Sequence, residues 1–388
     1  MWRAVVRVLR FALGKPSRSP GEAPPPSGGF EAPPSARARP ATPASAAETA
    51  AAARTAPAAR TAATARTAAR TTVHEAATLP GIGTWVEDRA TALAGSLDLM
   101  PLVPAVRDYR LYEPVALDAT PHVLVVLHGC RQNASDIATG TRLNDHADAR
   151  GWPVLYPEQS RSANKWNCWN WFDTANVRGH GETALVAAML DEVEERYSIE
   201  GRKAFLTGMS AGGALASILA LRYSERWAAV AIHSGLPYSA AEDPFTALKV
   251  MKEGAKNLTA ARALRSRTPD APGVAALVFH GSDDDIVHRR NAELLVRQFL
   301  GWNGYFGDEA WDTAELPKVD VERVDTTPGH SYVMRRYRRK GRAPVDECEV
   351  IGMGHAWAGG DSSLPYHDEL GPDASALMMK FFAAVVAH

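Results

Sequence analysis

The chain has 388 residues, 46% of them hydrophobic, and its 43 lysines and arginines against 44 aspartates and glutamates leave a net charge of −1. That apolar content is ample for a large core, near-neutrality gives no global pull toward nucleic acid or anionic lipid, and three cysteines are too few for a disulfide-stapled miniprotein. No run of about 18 apolar residues is present to make a transmembrane helix, so the balance is that of a soluble, enzyme-sized domain.

Residues 1–15, MWRAVVRVLRFALGK, alternate apolar residues with Arg3, Arg7 and Arg10. A secretory signal needs an uninterrupted apolar stretch and a small-residue cleavage site. The arginines break the stretch, so this segment reads as a short basic amphipathic helix or a frayed terminus. Residues 16–72 are low in complexity, with an imperfect Ala-Ala-Arg-Thr repeat around Arg54, Arg60, Arg66 and Arg70, and no acidic residue lies between Glu48 and Glu75. Residues 16–72 lack the bulky apolar residues to form a core, and residues 1–78 are expected to be a disordered, locally basic arm. Its plain reading is a linker; a polyanion-binding tail is the alternative.

Residues 79–106 are expected to be a linker, with a connecting helix over 80–102 on the apolar positions Trp85, Ala92, Leu93 and Leu97. They lead into a domain spanning 107–388. From Arg107 the pattern is extended, Tyr109 and Leu111 alternating with Arg110 and Tyr112 until Pro114. The run VLVVL at 123–127 is apolar on both faces, like a central strand of a covered sheet, and enters His128-Gly129-Cys130-Arg131-Gln132-Asn133 directly. The glycine lets this loop bend back so that the Cys130 N–H faces a reacting carbonyl. A helix at 143–149 and a strand at 153–156 follow. Then Trp166, Trp169, Trp171 and Phe172 stand among Asn167 and Asn170. Four large rings in seven residues do not alternate like a core strand. They are expected to line a cleft, rings for apolar chains and amides for carbonyls, with a satellite core as the alternative. Trp169, Asn170 and Trp171 are therefore candidate substrate contacts, as are Gln132 and Trp357.

Residues 182–197 form an amphipathic helix, and KAFLTGMSAGG (203–213) follows. Here a short apolar strand meets Gly-Met-Ser210-Ala-Gly, and a helical stripe of Leu215, Ile218, Leu219 and Tyr223 begins. Strand, G-x-S-x-G and helix make a nucleophile elbow: a sharp turn lifts the Ser210 hydroxyl clear, and the Ala211 N–H points at a developing oxyanion. A strand at 228–232 and a helical excursion at 243–267, the usual place for a cap, come next. The strand at 274–279 ends in His280-Gly281-Ser282-Asp283-Asp284-Asp285. An acid is needed there to fix a histidine tautomer. An acid three residues after the glycine selects Asp284, with Asp283 and Asp285 as alternatives. A helix at 291–302 and a hairpin at 319–338 precede a basic run, Arg335 to Lys340, read as a charge-protected strand edge rather than a polyanion patch. After a last strand at 348–351, His355 on a glycine-flanked loop is the candidate general base. Asp373 caps a closing helix, and Cys348 has no evident partner.

LHGCRQNA (127–134), NCWNWF (167–172), GMSAGG (208–213), FHGSDDDIVH (279–288) and GMGHAWAGG (352–360) together resemble the poly(3-hydroxybutyrate) depolymerase-type esterases of the α/β-hydrolase superfamily. The resemblance implies an α/β-hydrolase fold, a mostly parallel central sheet with helices on both faces. It also implies Ser210 as nucleophile, Asp284 as acid, His355 as base and the Cys130 and Ala211 amides as oxyanion donors. Cys168 lies one loop from Cys130 in this fold, so a bridge between them is expected. Ester hydrolysis through an acyl-enzyme follows, with polyester or its oligomers as substrate and no metal or other cofactor. The alternatives are an acetyl-xylan or feruloyl-type carbohydrate esterase and, more distantly, a non-catalytic polymer-granule binding protein. An ester is the expected partner, and nucleic acid is not. The family resemblance implies an extracellular location; without a convincing signal peptide, a cytoplasmic one is the alternative.

Overall fold

The computed structural model describes residues 72–73, 81–94, 103–307 and 310–387. Apart from strand β1 (Thr72–Val73), the expected disordered arm and its basic start lie outside these residues. Strands β2 (Thr84–Ala94) and β3 (Val103–Glu113) pair antiparallel along their whole length, Thr84 opposite Glu113 and Ala94 opposite Val103. This corrects the connecting helix expected over 80–102. The positions 85, 92 and 93 fit a helical stripe, but β-branched Thr84, Val86 and Thr91 suit a strand, and a partner of matching length settles it. The sheet therefore begins upstream of Arg107, with β2 in the stretch expected to be linker and β1 at the end of the expected arm.

Strand β4 (Leu124–Leu127) is followed by α1 (Ala134–Thr141), α2 (Leu143–Asp148), β5 (Val154–Pro157), α3 (Thr174–Val177), α4 (Glu182–Tyr197) and β6 (Ala204–Met209). Next come α5 (Ala211–Arg222), β7 (Trp227–His233), α6 (Pro244–Glu253), α7 (Thr259–Arg267), β8 (Ala275–Gly281) and α8 (Arg290–Trp302). The chain closes with β9 (Val319–Val324), β10 (Tyr332–Tyr337), β11 (Val345–Val350), the short strands β12 (Trp357–Ala358) and β13 (His367–Asp368), and α9 (Ala374–Val386). The main sheet runs β1-β2-β3-β5-β4-β6-β7-β8-β11-β10-β9. Its centre, from β5 to β11, is parallel, and both flanks are antiparallel.

Side chains alternate across this sheet and divide the core in two. Val125 and Leu127 of β4 face a layer with Met189, Leu215 and Phe299 from α4, α5 and α8. Leu124 and Val126 face the opposite layer, with Ile137, Leu143 and Phe382 from α1, α2 and α9. Helices cover both faces, which is why the central strands read as uninterrupted apolar runs. Caps set the helix starts: Asn133, Asp243 and Asp373 each accept a backbone N–H of the first turn of α1, α6 and α9. The closing helix buries Met378, Met379 and Phe382 deepest, with Leu377 and Val385 at the margin of the core.

The basic run is not a sheet edge. Strand β10 lies between β9 and β11, and its arginines meet acids across the ladder. Arg335 bonds Glu349 at 2.9 Å, Arg336 bonds Glu322 at 2.7 Å, and Arg338 forks onto Asp346. Charge here pairs neighbouring strands.

Candidate active site

Strand β6 ends in a turn that only small residues permit. Ser210 has φ 55 and ψ −117, outside the regions an L-residue ordinarily prefers, as expected of backbone strain held at a functional turn. A Cβ added at Gly208 would sit 2.6 Å from the Gly212 carbonyl, and one at Gly212 would sit 2.3 Å from the Leu127 carbonyl. The glycines therefore let β6, α5 and the end of β4 meet, which brings the loop after β4 onto the serine. The Ser210 N–H donates to the His233 carbonyl at 2.9 Å, tying the turn to β7.

That loop carries His128, Gly129 and Cys130. His128 is fully buried, and burial pushes its pKa down to about 4, so the ring is neutral at ordinary pH. Its Nε2 accepts the Gln159 N–H at 3.1 Å, which puts the ring proton on Nδ1, and Nδ1 donates to the Gly129 carbonyl at 2.8 Å. The Gly129 N–H donates to Gln132 Oε1 at 2.8 Å. Among the described residues, neither the Cys130 nor the Ala211 N–H has a hydrogen-bond acceptor. A disulfide joins Cys130 to Cys168 with the Cα atoms 4.1 Å apart, as expected.

Strand β8 delivers Asp284. Asp284 has a fully enclosed side chain; its Oδ2 accepts from His355 Nδ1 at 2.7 Å and its Oδ1 from the Ile286 and Val287 N–H groups at 3.0 and 2.8 Å. Burial alone pushes this carboxyl up. The His355 bond and charge, His280 nearby and the Val287 N–H outweigh burial and hold it at about 2. Asp283 and Asp285 are exposed. The loop bearing His355 is sewn to the same place: the Asp283 N–H donates to the Met353 carbonyl at 3.0 Å and the Gly352 N–H to Ser282 Oγ at 2.8 Å. Gly281 lets it approach, since a Cβ there would lie 2.2 Å from the Met353 carbonyl. Asp284 and His355 are thus in contact. No hydrogen bond joins Ser210 Oγ to His355 among the described residues.

The expected substrate contacts are placed differently. Trp169 and Trp357 are 1% and 0% exposed and donate their indole N–H groups to the His128 carbonyl and Ser375 Oγ. Trp171 and Gln132 are also buried, Trp171 in the core and Gln132 bracing Gly129. Asn170 is half-buried and bonded to Glu182. Trp169, Trp171, Trp357 and Gln132 thus stand behind the loops, and Asn170 keeps part of its surface exposed. Three residues escaped the reading of the sequence. His233 stacks on Phe279 and Trp357 and accepts the Ala358 N–H at 3.2 Å, linking the elbow to the His355 loop. Gln159 and Glu182 support the loop after β4. For Glu182 there was a signal: a carboxylate in helical phase with buried Val186, Met189 and Val193.

A family model described as Esterase PHB depolymerase matches residues 107–317. Poly(3-hydroxyalkanoate) depolymerase C of Paucimonas lemoignei is 28% identical over 257 residues, which cover 62% of this chain and 56% of the relative. The chain thus spans little more than half the length of that protein. Feruloyl esterase B of Neurospora crassa is 29% identical over 296 residues, covering 71% of this chain and 87% of the relative. Among solved structures, an acetyl xylan esterase from Aspergillus awamori superposes with a TM-score of 0.57 at 18% identity, over 76% of this chain and 99% of that one. It is similar in fold.

Proposed function

The chain belongs to the PHB depolymerase family of esterases, whose model covers residues 107–317, and from that premise we propose a serine carboxylic-ester hydrolase acting on a poly(3-hydroxybutyrate)-type polyester or its oligomers. The observation that carries the mechanism is the 2.7 Å bond from His355 Nδ1 to an enclosed, ionised Asp284. With its proton held on Nδ1, His355 keeps Nε2 free to take the Ser210 proton. Ser210 Oγ attacks the ester carbonyl, and the Cys130 and Ala211 amides stabilise the oxyanion. Collapse expels the alcohol, which takes its proton from His355, and leaves an acyl-enzyme ester. Water, deprotonated by His355, attacks that ester and releases the acid and Ser210. The Cys130–Cys168 bridge favours an oxidising compartment, and so an extracellular location.

A carbohydrate-ester substrate is the second reading, favoured by the greater share of this chain that the feruloyl esterase covers. Hydrolysis of a hydroxybutyrate oligomer, a short p-nitrophenyl ester, an acetylated xylo-oligosaccharide and a feruloyl ester separates the two. Serine-dependent preference for the oligomer is expected; preference for a sugar ester moves the substrate class and keeps the mechanism. Ser210→Ala should lower turnover by at least about a thousandfold with an unchanged melting curve. Full activity in that variant ends the acyl-enzyme mechanism.

A further inference from the structure

We infer that Glu182 is a positioning residue that aims the Cys130 amide through a buried hydrogen-bond network. The inference rests on the acyl-transfer reading above. Glu182 opens α4 and is 6% exposed. Its Oε1 accepts from Gln159 Nε2 at 2.5 Å and Asn170 Nδ2 at 2.7 Å. Its Oε2 accepts from the Asn170 backbone N–H at 2.7 Å and Asn176 Nδ2 at 3.2 Å.

Two routes lead from this carboxylate to one peptide group. In the first, Gln159 gives its backbone N–H to His128 Nε2 at 3.1 Å, and His128 Nδ1 donates to the Gly129 carbonyl at 2.8 Å. The Gly129 carbonyl and the Cys130 N–H share one trans peptide plane and point in opposite directions, so holding the first aims the second. In the second, Gln159 Nε2 donates to the Cys168 carbonyl at 3.0 Å, and Asn170 is anchored two residues further on. This secures the half of the disulfide that grips Cys130 from the other side.

The residue type follows from the donors. Burial disfavours an ionised carboxylate, and no lysine or arginine bonds Glu182 among the described residues. Four converging N–H groups and the positive end of α4 compensate. An amide in this place has one acceptor oxygen, and its own NH2 group would face a donor. Filling space needs no carboxylate; receiving four donors from the β5–α3 loop and α3 does.

The test compares Glu182→Gln with wild type in the full chain, with Ser210→Ala as the blank. Active sites are counted by stoichiometric phosphonylation with a p-nitrophenyl phosphonate, and affinity is measured for a boronic acid, which forms a tetrahedral adduct on the serine. We expect kcat per titrated site to fall about 10- to 100-fold, KM to stay within about threefold, and boronate affinity to fall in step with kcat. A residue that only stabilises the fold would lower the titrated fraction and the melting temperature, leaving kcat per site and boronate affinity at wild-type values; that result overturns the inference. Should Glu182→Gln not fold, Asn176→Ala removes the Nδ2 bond to Oε2 together with the side-chain bonds to the Asn170 carbonyl and to the Glu182 and Thr183 N–H groups, and an unchanged kcat per site and boronate affinity in that variant are equally fatal. Undiminished turnover by Ser210→Ala would sink the acyl-transfer reading itself, and is separable from a wild-type-like Glu182→Gln beside an inactive Ser210→Ala.

Discussion

Asp284 stands between two aspartates of the same charge and size, and its environment alone separates it from them. Its side chain is enclosed and both oxygens are engaged, whereas Asp283 and Asp285 face solvent. We therefore expect Asp284→Asn to lower kcat by about 10⁴-fold, because the amide leaves His355 free to adopt the wrong tautomer. Asp283→Asn and Asp285→Asn should keep near wild-type kcat, and steady-state kinetics on any turned-over ester checks all three. The contact of Asp284 with His355 was legible because the loop counts from a glycine fixed at the end of a strand. The tryptophans were not. A ring flanked by asparagines suits a cleft wall or a core equally well, and only the partners of Trp169 and Trp357, a carbonyl and a serine hydroxyl, reveal the core.

Elements covered on both sides were the most legible. Strands β4 and β6 are buried at every position, so β4 carries an unbroken apolar signal and β6 one interrupted only by Thr207 and Gly208. Strand β2 was missed because its conformation comes from a partner across the sheet and not from its own periodicity. The basic residues of β10 were placed at an edge for the same reason: the acids that answer them, Glu322, Asp346 and Glu349, lie on other strands. The elbow joins both kinds of information, since its glycines are visible in the sequence and their purpose only in the packing. Gly212→Ala would put a methyl 2.3 Å from the Leu127 carbonyl, forcing β4 and α5 apart. We expect a loss of about 1–3 kcal/mol in urea unfolding, together with reduced kcat. Wild-type stability and kcat in this variant would mean the close approach is dispensable.

At the scale of the whole molecule, buried neutral histidines link folding to pH. His233 is pushed down to about 3, by burial first and then by the charges of His280 and His355, from an ordinary value of 6.5. Between these values the unfolded chain binds a proton that the folded chain refuses. The contribution of His233 is therefore full above pH 6.5 and is lost as pH falls toward 3, at about 1.4 kcal/mol per pH unit. His233→Gln keeps an acceptor for the Ala358 N–H and removes the titration. Urea midpoints from pH 6.5 to 4.5 should fall less steeply for the variant, by about one proton; equal slopes would contradict the buried, neutral ring. The strand directions have a consequence of another kind. His128, Gln159, Ser210, His233, Asp284 and His355 all lie at or just past the carboxyl ends of parallel strands and so occupy one rim of the sheet. The turn before β6, with exposed Glu200 and a Gly201 around which an added Cβ meets nothing within 4 Å, belongs to the opposite rim. A support coupled at Glu200 holds the molecule by its back and leaves the rim that carries Ser210 and His355 turned outward.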